Sequence, residues 1–198
     1  MEPTDRDLML AVRDGDVELF GVLFDRYHQS LYEFFFRLGS TAASSEDLVQ
    51  DVFLRMLRYR RTFRADSDFR GWMYHIARKV RIDRFKSRRE ETRLGENDAA
   101  AHRTGPAAQE SFIEARERSQ LLEQALLKLA EDKRELLILA RFQELKYEQI
   151  ASLLDIDVGA VKVRVHRAMT ELREIVQKIS DKRSKCIVTK PAKLSRTN

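Results

Sequence analysis

Apolar residues recur along most of the chain at spacings of three and four, the period of a helix with one buried face. Residues 5–14 (DRDLMLAVRD) predict a short helix ending near Gly15. Asp16 has the character of an N-cap for a longer helix over about 17–38, closed by Gly39. Leu23, Tyr27, Leu31, Phe34, Phe35 and Leu38 share its inner face. Ser44 with Asp47 has capping-box spacing and opens a helix over roughly 45–60, with Leu48, Val52, Phe53, Met56 and Leu57 as its buried stripe. The pattern breaks over RRTFRADSDFRG (60–71), a loop. A fourth helix, about 69–88, sets Trp72, Ile76 and Val80 against a dense array of Arg and Lys.

Residues 89–110 (REETRLGENDAAAHRTGPAAQE) carry few large apolar groups and read as a flexible linker. Periodicity resumes over 111–177, with helices near 112–129, 132–143, 146–154 and 158–177. Residues 178–198 are basic and aperiodic, the pattern of a disordered tail. The expected fold is all-α: two small helical domains, 1–88 and 111–177, joined by a linker.

Composition narrows the function. Only 7 Gly and 3 Pro argue against a turn-rich β fold. The single Cys186 allows neither a disulfide framework nor a cysteine zinc site, and His28, His75, His102 and His166 lack metal-ligand spacing. There is no phosphate-binding glycine loop and no apolar run of membrane-spanning length, and the start MEPTDRDLML is acidic, unlike a secretory signal. The chain is expected to be a cytoplasmic non-enzyme without metal or cofactor.

The formal net charge is +5, but it is segregated. Residues 1–54 carry 4 basic and 11 acidic groups, while residues 70–93 carry 9 basic and 3 acidic. Alternating blocks of this kind point to separate surfaces for a basic partner and for a polyanion. Taken block by block, solvated helix faces are the commoner meaning.

The sharpest local pattern is YEQIASLLDIDVGAVKVRVHRA (147–168). Ala151 is small where two helices would cross, and Ile150, Leu154, Ile156, Val161 and Val165 supply buried aliphatics. Asp155 takes the turn position that glycine often fills, and Asp157 can cap the second helix. Val161, Val165, Ala168 and Leu172 form an inner face. Lys162, Arg164, His166 and Arg167 are left outside, as on a recognition helix in a major groove. An ordinary helical hairpin with a basic solvent face is the alternative.

In the first domain, SEDLVQDVFLRM (45–56) places Asp47, Gln50 and Asp51 on one outward stripe. Further on, FRGWMYHIARKVRIDRFK (69–86) interleaves aromatics with cations, which suits unpaired DNA through stacking and phosphate neutralisation. Trp72 and Phe85 could equally be core.

In this order and at this spacing, the segments SEDLVQDVFLRM, FRGWMYHIARKVRIDRFKSRR and LLILARFQELKYEQIASLLDIDVGAVKVRVHRAMTELRE resemble bacterial RNA polymerase sigma factors of the extracytoplasmic-function (ECF) type. The resemblance spans about residues 10–177. It implies a sigma region two-like domain over 1–88 and a region four-like helix-turn-helix domain over 111–177. It places Asp47, Gln50 and Asp51 on core RNA polymerase. Minus-ten promoter DNA would fall to Phe69, Arg70, Trp72, Tyr74, His75, Arg78, Lys79, Arg81, Arg84 and Lys86, and minus-thirty-five DNA to Lys162, Arg164, His166 and Arg167. It further implies a monomer when bound to polymerase, no membrane insertion, and an anti-sigma factor as regulator. Lys79 stands where the family often has Asn, and Lys146 where it often has Ser. A conventional helix-turn-helix regulator and a protein-interaction adaptor are the alternatives.

Overall fold

The computed structural model describes residues 3–93 and 113–188, and their side chains over 3–87 and 118–182. Helix α1 (Asp5–Asp14) opens on a capping box in which Thr4 and Asp7 exchange side-chain and backbone bonds. Helix α2 (Phe20–Leu38) starts later than its hydrophobic pattern predicts, because Val17–Leu19 forms a 3-10 turn and Asp16 makes no side-chain cap. Its end is as expected: Gly39 has φ 113°, and Gly39 and Ser40 return hydrogen bonds to Phe36 and Phe35. Only glycine adopts that conformation without strain.

Helix α3 (Ala42–Arg58) is capped by Thr41, whose Oγ1 accepts from the Ser44 amide at 3.2 Å. Ser44 is therefore capped rather than capping. Two small hydroxyl residues close together make such a start ambiguous in sequence, and here the helix takes the earlier one. After a 3-10 turn at Arg60–Thr62, Asp68 caps α4 (Phe69–Arg93) by accepting from the Gly71 amide at 2.6 Å. Leu8, Met9, Val12, Leu23, Leu31, Phe34, Val52, Met56 and Met73 fill the core between α1 and α4. Each large side chain buried there contributes roughly 1.5–3 kcal/mol relative to exposure.

Helix α4 continues through Arg93, five residues into the stretch expected to be linker, and residues 94–110 lie outside those described. The second unit comprises α5 (Ile113–Lys128), α6 (Glu131–Leu137), α7 (Tyr147–Leu154) and α8 (Val158–Val188). From α6 the chain runs into a wider π-helical turn, Ile138–Phe142, where the Gln143 amide bonds back to the Ile138 carbonyl at 2.9 Å. Helix α8 reaches Val188, so the basic segment expected to be disordered is helical over its first half; residues 189–198 lie outside those described.

Among the described residues the regular secondary structure is all helical, as expected. What the linker did not foretell is that the two units pack on each other. Arg134 organises one edge of that contact. Its guanidinium donates to the carbonyls of Leu126 (2.9 Å), Leu127 (2.9 Å) and Leu129 (2.9 Å), and across the units to Leu38 (3.0 Å). One cation thus gathers carbonyls at the ends of α2 and α5, where helices run short of backbone donors.

Candidate nucleic-acid interface

The helix-turn-helix forms as the residue pattern dictates. Asp155 sits in the left-handed region (φ 54°, ψ 51°), and Asp157 Oδ1 accepts from the Ala160 amide at 2.8 Å. Lys146 contributes no side-chain cap to α7; instead Gln149 Oε1 reaches back to the Lys146 amide at 2.6 Å. Ile150, Ala151, Val161, Val165, Ala168 and Leu172 are buried. Leu153 is buried as well, whereas Leu154 and Ile156 are half-exposed at the turn. Lys162, Arg164, His166 and Arg167 are all exposed at the start of α8.

The residues of α4 and its approach loop divide into three groups. Phe69 and Tyr74 are core: Phe69 is 4% exposed, tilted against Tyr27 and edge-on to Phe63, and Tyr74 is fully buried against Phe34. Trp72 is half-buried beside Phe63, with ring centres 5.2 Å apart. His75, Lys79, Arg84 and Lys86 are exposed, with Ile82 and Phe85 also facing outward. Partial burial and the neighbouring Lys79 and Arg78 hold His75 below its ordinary pKa. The third group, Arg70, Arg78 and Arg81, points at the second unit. Arg78 Nε donates to Glu135 at 2.9 Å and its Nη1 to the Leu153 carbonyl at 2.8 Å. Arg81, only 6% exposed, reaches Glu131 at 2.5 Å. Arg70 donates to the Gln143 carbonyl oxygen.

Gln143 is the central polar residue of this contact, 2% exposed. Its Oε1 accepts from Ser30 at 2.6 Å and from Tyr74 at 2.5 Å. Nothing in the residue pattern singles out Gln143, Glu131 or Glu135. Partners across separate units leave no periodic trace.

On the acidic stripe, Asp47 and Gln50 are exposed and Asp51 is half-exposed. Asp51 accepts from Arg55 at 3.1 Å, and Arg55 also reaches Asp83 on α4 at 2.5 Å. Beside the stripe, Phe24, His28, Tyr32, Val49 and Gln50 line an open groove of about 520 Å³.

Residues 23–91 match the model of sigma-70 region 2, and residues 119–172 match that of sigma-70 region 4. The RNA polymerase sigma factor YlaC of Bacillus subtilis is 32% identical over 158 residues, 79% of this chain and 91% of its own. The ECF RNA polymerase sigma factor SigX of the same organism is 30% identical over 161 residues, 79% of this chain and 83% of its own. The fold also matches the sigma factor RpoE of Bartonella quintana in its co-crystal structure with the anti-sigma factor NepR. The TM-score is 0.68 at 26% identity, over 80% of this chain and 96% of that one.

The chain belongs to the sigma-70 family of RNA polymerase sigma factors, as a member of the ECF type. Such a protein is a DNA-binding transcription initiation factor and not an enzyme.

Proposed function

We propose that the two halves of the chain divide promoter recognition between them. The face of α3 bearing Asp47, Gln50 and Asp51 docks on core RNA polymerase. The loop before α4, with α4 itself, reads and melts minus-ten DNA through the cations assigned above together with Trp72 and His75, while Phe69 and Tyr74 hold the helix in the core. The start of α8 reads minus-thirty-five DNA with Lys162, Arg164, His166 and Arg167. Melting then draws on binding energy to unpaired bases, without nucleotide hydrolysis.

One observation carries this reading. The helix-turn-helix presents four basic residues outward over a buried aliphatic face, on the same chain as an exposed acidic stripe. A basic helix end facing a groove and an acidic stripe facing a basic protein surface are complementary to different partners. We further assign the chain to the cytoplasm; no described helix is long and apolar enough to cross a membrane. An anti-sigma factor would find an apolar seat in the groove between α2 and α3, next to the polymerase-docking stripe.

The test is run-off transcription with purified core polymerase on a genomic promoter library. Initiation is expected only when the protein is added. Asp51→Arg is expected to abolish co-elution with core while leaving the circular dichroism spectrum unchanged. Loss of helicity in that variant would instead make the stripe structural.

A further inference from the structure

The outward face of α8 has an apolar residue at its centre. Buried Val161, Val165 and Leu172 fix the inner line of the helix, and at about 100° per residue Val163 stands opposite them. Val163 is 50% exposed. Exposed Lys162 and Arg164 lie about 100° to either side of it, and exposed His166 and Arg167 flank its line one turn later. One turn earlier the same face carries only Gly159 and Ala160, so the helix can approach a surface closely there. A single exposed valine is ordinary on a protein surface. This one is set apart by its place, because a recognition helix points the middle of its outward face at the groove floor.

We propose that Val163 reads the 5-methyl group of a thymine in the minus-thirty-five element and so sets the base preference at that position. The inference rests on the assignment of minus-thirty-five reading to the start of α8.

The chemistry of the groove selects the target. Among the base edges of the major groove, thymine alone presents a methyl group. Valine has no side-chain donor or acceptor. Set against a purine N7, a carbonyl oxygen or an amino group, it would strip water and return no hydrogen bond. Against a methyl group, both surfaces leave water favourably. Branching at Cβ already restricts χ1, so little rotamer freedom is lost on contact. Lys162 and Arg164, on the flanks, are placed for phosphates on the groove walls, contacts that fix register without specifying a base.

The experiment uses holoenzyme reconstituted from the full chain and core polymerase, on a promoter recovered from the run-off library. The minus-thirty-five element is located by base-pair changes that weaken initiation. Each of its thymines, on either strand, is then replaced singly by uracil, which pairs identically and lacks only the methyl. With the unaltered chain, uracil at one position is expected to raise the half-saturating holoenzyme concentration about fourfold, the worth of one buried methyl. With Val163→Ser, thymine and uracil are expected to become equivalent there, while Val163→Ile keeps the preference. Uracil tolerated by the unaltered chain at every thymine would overturn the assignment. So would an element without thymine, or a uracil penalty of the same size in Val163→Ser. Failure to initiate from any promoter, or indifference to every upstream base-pair change, would instead sink the minus-thirty-five reading on which the inference rests.

Discussion

Tyr74 shows how one side chain serves packing and polar order together. Its ring lies edge-on to Phe34 at 5.2 Å, while its hydroxyl donates to Gln143 and lies 3.2 Å from the Ser30 hydroxyl. Burial raises its phenol from the ordinary 10.0 to about 12. The neutral form is therefore the one the fold favours. Its contribution to stability is complete below pH 10 and is lost as pH rises through about 12. Tyr74→Phe is expected to flatten the fall in stability above pH 10, measured as denaturation midpoints of the two proteins across that range. The same slope in both would place the alkaline sensitivity elsewhere. The sequence marks Tyr74 as one more aromatic on a basic helix and assigns it to DNA. Its burial comes from a helix that turns Met73, Tyr74 and Ala77 inward, a rotation that clustered cations at 78, 79, 81 and 84 obscure.

At the scale of elements, the helix-turn-helix was legible in nearly full detail. Its turn depends on two local preferences that residue type reveals, left-handed backbone at Asp155 and side-chain capping at Asp157. Asp157→Ala is expected to cost about 0.5–2 kcal/mol, the usual worth of such a cap, read from urea unfolding of the full chain. A cost near zero would mean that packing alone fixes the start of α8. Helix starts at α2 and α3 were less legible. Asp16 and Ser44 have the right chemistry but the wrong neighbours, and nearby residues take the cap or the first turn instead. Ends set by Gly15 and Gly39 were clear, because positive φ leaves little choice of residue.

At the scale of the molecule, a polar linker suggested two independent domains, and the packing between them had no signal in either domain's periodicity. The residues that make it are single charges and one amide, each unremarkable on its own helix. Arg134 is the clearest case. It ties α2, α5 and α6 through four carbonyls, yet in sequence it is one basic residue in EDKRE. Arg134→Met is expected to destabilise the chain by at least about 2 kcal/mol, since buried carbonyls lose their donor. The urea midpoint should fall with little change in slope, whereas a purely superficial arginine would leave the midpoint in place. The net charge of +5 is a poor guide at this scale, because part of the basic surface is neutralised by the chain's own acids.

The wide turn at Ile138–Phe142 makes this part of the chain sensitive to counting. A π-helical turn is an α-helix holding one residue more than its pitch accommodates. Removing Ala140 would let regular α-helix re-form and swing everything after it by about 100° around the axis. Gln143 would leave Ser30 and Tyr74, and Arg70 would lose the carbonyl it holds. The deletion is expected to be more disruptive than Ala140→Gly at the same place, compared by thermal unfolding of the two variants. Equal melting points would mean the turn absorbs a change of length. Substitutions leave the count intact, so the seat of Gln143 depends on how many residues precede it as much as on which ones they are.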